Sequence, residues 1–275
     1  MSIPTAILTA HGLESTAYGA SSLAEAAVYE PSGVYTVART YKRDHVLLFN
    51  EHMDRLEQSA RLVGLIVKPD RVALRRALKQ LVDQSGNAES RFRITIPQKA
   101  PEQLILSVEP YKPVPPDILQ HGARLATVYQ ARTNPIAKTT AWMIERQPAT
   151  QALPLGTYEG LLVTPDGTIL EGLSTNFYAI KNGVLRTAGA GVLPGMAQRI
   201  VFKVAEGVIA LDRTPVTVTD LPAVSEAFIT SAGRGVVPVI QINDTIIGDG
   251  VPGTNTITLQ NRYNAWAEAH LESLI

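Results

Sequence analysis

The sequence contains no cysteine and no excess of charge of either sign. The absence of cysteine excludes disulfide bonds, a thiolate nucleophile and cysteine-ligated zinc. Lysine plus arginine and aspartate plus glutamate each number 25, so the net charge is zero and neither a nucleic-acid partner nor an acidic membrane surface is indicated. No metal site is predicted, since the histidines do not have the spacing of metal ligands. They are His11, His45, His52, His121 and His270.

Long apolar runs are also missing. No window approaches the ~18 uninterrupted apolar residues of a membrane-spanning helix. The opening "MSIPTAILTAHGLEST" lacks a charged region followed by a long apolar stretch, so no secretory signal is expected and a cytoplasmic location is the expectation. The chain has 275 residues, of which 45 % are hydrophobic, which is enough for one large domain or two ordinary ones with substantial cores.

The first third of the chain reads as strands followed by two helices and two more strands. Alternating residues in "GVYTVARTYKRDHVLLF" predict two strands with a turn near "KRDH". The stretch "NEHMDRLEQSARLVGL" has helical spacing, with Asn50 as the expected N-cap and Gly64 as the expected C-cap. The stretch "DRVALRRALKQLVDQSG" predicts a second helix between Asp70 and Gly86. "SRFRITIP" and "QLILSVEPY" follow as strands, and the proline-rich "KPVPPDILQHG" indicates a connection between domains.

The remainder mixes hairpins with two helices. "ARLATVYQA" predicts a strand, and "EGLLVTPDGTILEGLSTNFYAIKNGVLRTA" predicts a hairpin series with turns at "PDG" and "KNG". "GMAQRIVFKVAEGV" predicts a helix, and "EAFITSAGRGVVPVIQIND" two strands around a glycine-rich turn. "GTNTITLQNRYNAWAEAHLESL" is expected to be a C-terminal helix. The sequence therefore indicates an α+β protein with two domains and mixed sheets.

Several residues could carry chemistry. Lys138 lies in "RTNPIAKTTAWMIERQ", Glu171 ends a predicted strand, and "VLPGMAQR" and "TSAGRG" are small-residue turns with free backbone N–H groups suited to a phosphate. Arg55 could add a charged donor. A lysine amine, a carboxylate and a phosphate cup are the parts that a pyridoxal-phosphate enzyme needs. Each part also has an ordinary explanation: a surface lysine, a solvated turn residue, a plain helix start, a tight hairpin turn, and an Arg55 paired with Glu51 on a solvated helix face.

The motifs "YTVARTY", "LFNEHMDRLEQSARLVGL", "AKTT", "GTILEGLSTNFYAIKNGVLRT", "VLPGMAQRIV" and "EAFITSAGRGVVPVIQIN" occur in this order. Together they resemble the class IV aminotransferases, the fold-type-IV family of pyridoxal-phosphate enzymes. That family includes branched-chain aminotransferases, D-amino-acid aminotransferases, (R)-selective amine transaminases and aminodeoxychorismate lyases. The resemblance spans the chain from Ala24 to Tyr263. It implies a homodimer of two-domain chains, with a small N-terminal α/β domain over residues 1–115 and a larger cofactor-binding domain over 116–275.

The resemblance also implies roles for individual residues. Lys138 matches the lysine that forms the Schiff base with pyridoxal 5'-phosphate, and Glu171 matches the acid on the pyridine nitrogen. Tyr35 and Arg93 match residues of the substrate pocket. The remaining cofactor-binding matches all concern the phosphate: Arg55, Gly195, Met196, Ala197, Ser231 and Ala232.

Three departures from the family pattern affect the expected site. Ala232 replaces a frequent threonine, so Thr230 or Ser231 would have to supply a phosphate hydroxyl. Gln198 stands where the family usually has an arginine. Met143 stands where branched-chain enzymes have a tyrosine. These departures leave the cofactor prediction intact and leave the substrate open.

The resemblance implies amino transfer from an amino acid or primary amine to a 2-oxo acid. L-branched-chain substrates are placed slightly ahead of D-amino acids and (R)-amines. The pocket residues give mixed indications: "YTVAR" resembles the D-amino-acid type, and Arg93 resembles the branched-chain type. One alternative is a lyase that releases pyruvate from aminodeoxychorismate. A second is a non-catalytic cofactor-binding protein, which would be expected to have lost Lys138 or Glu171.

Overall fold

The computed structural model describes residues 2–275. The chain forms two compact units. The first unit contains the residues up to Lys112 together with Ala137–Glu145 and His270–Ile275, and the second contains Pro113–Ile136 and Arg146–Ala269. This division differs from a simple split into 1–115 and 116–275, because the segment around Lys138 and the C-terminal residues both return to the first unit.

The chain contains sixteen strands, eight α-helices and one short 3₁₀ helix at Val218–Ala223 within its described residues. The strands are β1 (Thr5–Thr9), β2 (Gly12–Ser15), β3 (Gly33–Tyr41), β4 (His45–Leu47), β5 (Ser90–Pro97), β6 (Leu104–Pro110), β7 (Ala123–Val128), β8 (Glu159–Val163), β9 (Ile169–Gly172), β10 (Asn176–Lys181), β11 (Val184–Arg186), β12 (Ala210–Asp212), β13 (Val224–Ser231), β14 (Gly235–Ile242), β15 (Thr245–Ile246) and β16 (Leu271–Ser273). The helices are α1 (Leu23–Tyr29), α2 (Phe49–Leu62), α3 (Arg71–Ser85), α4 (Pro116–His121), α5 (Thr140–Glu145), α6 (Gln147–Gln151), α7 (Met196–Ala205) and α8 (Thr254–Ala269).

The first unit is an antiparallel seven-stranded sheet in the order β16-β4-β3-β5-β6-β1-β2. Helices α2 and α3 cover it with the apolar stripes that the sequence predicts. Their buried side chains pack with those of β3, β5 and β6 in one core, which includes Phe49, Met53, Leu56, Leu74, Leu78, Phe92, Ile94 and Leu106. Burial of this apolar surface is the main force that holds the helices on the sheet.

The helix ends show where local sequence signals predict a helix boundary correctly and where they do not. Helix α3 begins and ends as predicted, since the Asp70 side chain accepts from first-turn N–H groups and Gly86 is left-handed at φ 65°. The prediction of Asn50 as the N-cap of α2 is wrong. That helix begins at Phe49, whose N–H donates to Glu272 Oε1 at 2.9 Å. A carboxylate from the far end of the chain thus satisfies an N–H group that a side-chain cap would otherwise serve.

The C-terminal helix is shorter than predicted. Helix α8 ends at Ala269, and Leu271–Ser273 forms β16, which pairs antiparallel with β4. Arg75 on α3 donates to Glu272 Oε2 at 2.6 Å, so tertiary contacts fix these residues in an extended conformation. Sheet pairing and this ion pair override the helical propensity of the segment.

The second unit is a mixed nine-stranded sheet that closes on itself. Its order is β12-β11-β10-β13-β14-β7-β8-β9, with β15 beside β14, and β9 also pairs with β10 through Glu171 and Asn176. Strand β7 is parallel to both β14 and β8, and β11 is parallel to β12. The two units confirm the predicted α+β class with mixed sheets, and closure of the second sheet places Glu171 at its seam.

Within residues 2–275, no helix combines the length and the apolar character that a bilayer crossing requires. The same residues contain no group of three or more histidine or acidic side chains arranged to hold a metal ion.

Candidate active site

In the first unit, the segment that carries Lys138 lies along strand β3. The Lys138 carbonyl accepts from the Tyr35 N–H at 2.9 Å, and the Lys138 N–H donates to Ser59 Oγ at 3.2 Å. Two residues further on, Thr140 Oγ1 accepts from the Gly33 N–H at 2.9 Å. The backbone around the lysine is therefore fixed to both β3 and α2.

The Lys138 side chain lies against an aromatic ring. Its Nζ is 4.8 Å from the centroid of the Tyr35 ring, and Tyr35 is only 3 % exposed. Tyr35 packs with Ala27 and Met143 in a small apolar cluster. An ammonium group is attracted to such a ring face, and the contact restrains the long side chain. Lys138 is therefore a restrained, half-buried amine, and the structure brings it together with the predicted substrate residue Tyr35.

Arg55 is buried on α2, at 6 % exposure. Its NH2 group donates to Thr36 Oγ1 at 3.1 Å, and that hydroxyl also bonds His52 Nδ1 at 2.7 Å. This burial is incompatible with the alternative in which Arg55 pairs with Glu51 on a solvated helix face. Buried guanidinium groups need polar or anionic partners, which suits the predicted role toward a phosphate.

The predicted substrate residue Arg93 is held by a carboxylate of the same unit. Its Nε donates to Glu30 Oε1 at 3.0 Å, its NH2 group also bonds that oxygen, and its NH1 group donates to the Leu23 carbonyl at 2.7 Å. Thr95 Oγ1 donates to the other Glu30 oxygen at 2.6 Å. Arg93 therefore joins β5 to the ends of α1, and any role toward a substrate carboxylate would have to compete with Glu30.

In the second unit, Glu171 is 3 % exposed, which excludes the alternative explanation that it is a solvated turn residue. Its Oε1 accepts from Arg132 NH1 at 2.7 Å, and its Oε2 accepts from the Leu193 N–H at 3.1 Å and from Asn176 Nδ2 at 3.4 Å. These donors suit an ionised carboxylate. Sequence patterns did not identify Arg132 as a site residue, because it is 39 residues away from Glu171 in the sequence and only the fold brings the two together.

Asn176 connects Glu171 to the start of α7. Its Nδ2 also donates to the Leu193 carbonyl at 2.9 Å, and in the sheet it lies opposite Thr230. A Cβ atom added at Gly195 would lie 2.0 Å from Asn176 Oδ1, so any side chain at that position would displace the Asn176 amide. The carboxylate, the loop before α7 and the end of β13 thus meet around one asparagine.

The start of α7 has no side-chain cap. Gly195 occupies the N-cap position, and Met196, Ala197 and Gln198 are each at most 5 % exposed. First-turn N–H groups have no partner within their own helix, so a buried helix start without a cap is suited to an anion. A phosphate group is therefore a suitable ligand for this position.

The predicted second half of the phosphate cup follows Thr230 directly. Ser231 pairs with Gly235 at the end of the β13–β14 hairpin, and the Arg234 N–H donates to the Ser231 carbonyl at 3.2 Å. Ser231 and Ala232 are only partly buried. Because Thr230 lies opposite Asn176, this turn is on the same end of the sheet as Glu171. The residues of the second unit therefore fit both the ring nitrogen and the phosphate of pyridoxal 5'-phosphate.

The chain is similar in sequence to known aminotransferases. The model of the family "Amino-transferase class IV" matches residues 33–242, which is more than half of the chain. The chain is similar to the D-alanine aminotransferase of Bacillus licheniformis, with 28 % identity over 260 residues that cover 83 % of this chain and 85 % of the relative.

Solved structures share the fold. The branched-chain aminotransferase of the archaeon Thermoproteus uzoniensis with norvaline has a TM-score of 0.79 and 21 % identity, over 100 % of this chain and 100 % of that one. The Escherichia coli branched-chain amino acid aminotransferase has a TM-score of 0.82, with 19 % identity over 98 % of this chain and 99 % of that one. The range matched by the family model includes every candidate residue from Tyr35 to Ala232. The chain therefore belongs to the class IV aminotransferase family.

Proposed function

We propose that this protein is a pyridoxal-5'-phosphate-dependent transaminase that moves an amino group from an amino acid or primary amine to a 2-oxo acid. The observation that carries the proposal lies in the second unit. There, one asparagine joins the buried Glu171 carboxylate to the buried, uncapped start of α7. A carboxylate and an anion site that are fixed by one residue match the two ends of pyridoxal 5'-phosphate. The class IV aminotransferases use this cofactor.

Each residue then has a defined task. When bound, the cofactor supplies an electron sink for bond cleavage at the substrate Cα. Glu171 keeps a proton on the ring nitrogen, and Arg132 in turn holds the carboxylate in place. The N–H groups of Met196 and Ala197 bind the phosphate, as do Ser231 and Ala232, and Arg55 adds a charged donor. The Lys138 amine, restrained over Tyr35, takes the proton from the substrate Cα.

The proposed donors are apolar or medium-sized, with L-branched-chain amino acids slightly ahead of D-amino acids and (R)-amines. Two observations support an apolar side chain. Lys138 lies against Tyr35, which packs with the thioether of Met143. Arg93, the cation predicted for the substrate pocket, is already bonded to Glu30. The similar proteins whose names are given above act on branched-chain amino acids or on D-alanine.

We further propose that the protein is a cytoplasmic homodimer, as the sequence led us to expect. In the first unit, α1 and α5 pack together and expose the apolar side chains Val28, Tyr29 and Ile144. Such a patch is suited to a partner surface. Sedimentation of the active protein as a monomer would contradict the dimer, and cell fractionation would test the location.

The attachment of the cofactor is tested first. Borohydride reduction of the cofactor-loaded protein should leave a covalent adduct on Lys138, located by peptide mass spectrometry. Lys138→Ala should lose the adduct, while Lys99→Ala, which removes an exposed lysine of the same unit, should keep it. An adduct that persists in Lys138→Ala would exclude Lys138 as the attachment point.

The reaction is tested by single-turnover mixing of the loaded protein with four compounds: L-leucine, D-alanine, (R)-1-phenylethylamine and aminodeoxychorismate. Conversion of the bound cofactor to its amine form by any of the first three supports the transaminase. Pyruvate release from the fourth, with no conversion by the others, would establish the lyase instead. No reaction with any of them would contradict the proposed donor classes and favour a non-catalytic cofactor-binding protein.

A further inference from the structure

Gln198 is a buried polar residue to which the proposed function has so far assigned no task. It is the third residue of α7 and is 5 % exposed. Its Nε2 makes no hydrogen bond to any residue in the described part of the chain. A buried amide donor without a partner is unfavourable, so its presence points to a ligand that accepts the bond.

The side chain of Gln198 leaves the helix at the start of α7. Side chains of an α-helix tilt toward the helix N-terminus, so a residue in the third position projects back over the first turn. The Gln198 Cβ lies 3.4 Å from the point where a Cβ on Gly195 would be. The Gln198 side chain therefore begins at the same end of α7 as the uncapped N–H groups.

The surroundings of Gln198 restrain its side chain. Tyr178 is fully buried beside it, and burial raises the pKa of the Tyr178 hydroxyl well above its ordinary value. The Thr230 hydroxyl, 3.5 Å from the Tyr178 hydroxyl, and the nearby Gln198 side chain both lower that pKa, but the approach of Gln198 to Tyr178 lacks the geometry of a hydrogen bond from Nε2. The Gln198 side chain thus extends from α7 to Tyr178 on β10, and Thr230 on β13, which directly precedes Ser231, contacts the same Tyr178 hydroxyl.

We infer that Gln198 Nε2 donates a hydrogen bond to the phosphate of the bound cofactor, an inference that rests on the proposed function. It would add a donor to a phosphate cup in which Ala232 lacks the threonine hydroxyl that is frequent in the family. A neutral amide suits this position because the helix start already faces the phosphate with positive partial charge. A carboxylate at the same position would repel the phosphate.

The experiment compares pyridoxal 5'-phosphate with pyridoxal, which has the same ring and no phosphate. Dissociation constants for the cofactor-free protein are measured by absorbance for wild type, Gln198→Met and Gln198→Glu. Arg199→Gln is the matched control, since it changes an exposed residue of the same turn. Gln198→Met should weaken pyridoxal 5'-phosphate binding about tenfold and Gln198→Glu about a hundredfold, the range of a charge-assisted hydrogen bond. Pyridoxal binding should change less than about twofold in every variant.

The outcomes separate this inference from the proposed function. If wild type binds pyridoxal 5'-phosphate and Gln198→Met binds it with the same affinity, the inference is wrong and the proposed function is unaffected. Equal weakening of pyridoxal 5'-phosphate and pyridoxal would also overturn the inference alone, since that result would show a structural role beside Tyr178. Wild type that binds neither compound would overturn both the inference and the proposed function. Inorganic phosphate should compete with pyridoxal 5'-phosphate in wild type and less well in Gln198→Met.

Discussion

Replacing Arg93 with methionine tests whether this arginine serves the fold or the substrate. The side chains of Arg93 and Glu30 are 3 % and 1 % exposed, and they share two hydrogen bonds. In Arg93→Met the Glu30 carboxylate would remain buried, with Thr95 as its hydrogen-bond donor. Loss of one partner of a buried ion pair lowers the free energy of unfolding by about 3–5 kcal/mol.

This loss is large enough to measure by thermal unfolding. For a chain of this size, 1 kcal/mol corresponds to roughly 2–4 °C in Tm, so Arg93→Met should unfold about 6–20 °C below wild type. Circular dichroism follows the transition. Arg91→Met on the same strand is the matched control, because its pair with Glu109 is 45 % exposed on the arginine side and should cost less than about 1 kcal/mol.

A second variant separates charge burial from loss of packing. Glu30→Gln combined with Arg93→Met leaves no unpaired charge, so it should be more stable than Arg93→Met alone. The reasoning would be refuted if Arg93→Met had the Tm of wild type and a raised KM for the amino donor. That result would show that Arg93 binds the substrate, as the sequence resemblance implies.

Four single residues give the remaining predictions. Glu171→Gln should keep cofactor binding and lose most turnover, because a neutral amide does not hold a proton on the ring nitrogen; full activity would remove Glu171 from the mechanism. Arg55→Ala should weaken cofactor binding by about 1.5–3 kcal/mol in a fluorescence titration, and unchanged affinity would contradict a phosphate contact. Gly195→Ala should lower the free energy of unfolding by about 1–3 kcal/mol, because its Cβ would lie 2.0 Å from Asn176 Oδ1; a stability equal to wild type would show that the loop can move. Burial raises the pKa of Tyr18 to about 12, so the folded chain keeps this proton after the unfolded chain has lost it. Stability should therefore fall as pH rises from 10 toward 12, and denaturant titrations of Tyr18→Phe should show a smaller fall.

Local signals in the sequence predict most of the secondary structure. Helix α3 is an example, because its cap Asp70 and its stop Gly86 act within a few residues of the helix that they end. The N-cap of α2 and the end of α8 were predicted wrongly for one reason. Glu272 bonds Phe49 and Arg75, which precede it by about two hundred residues, and no local pattern contains that contact.

The difference between local signals and long-range contacts also applies to the candidate site. Residue types and their order identify Lys138 and Glu171 as candidates. The partners of buried charges were not predictable, because Arg93 is 63 residues from Glu30 in the sequence and Arg132 is 39 residues from Glu171. A buried ion pair depends on tertiary packing, so a sequence can supply the charged residue without indicating which carboxylate it serves.

Asn176 shows how the fold can set the geometry of a site before any ligand is present. Its side chain bonds Glu171 and the Leu193 carbonyl, while its backbone takes part in the closure of the sheet. The spacing between the carboxylate and the start of α7 is therefore determined by strand pairing and one amide. Binding to such a frame requires little ordering of the chain, which favours affinity. It follows that changes at Asn176 should disturb the ring end and the phosphate end of the bound cofactor together, whereas changes at Gln198 should disturb the phosphate end alone.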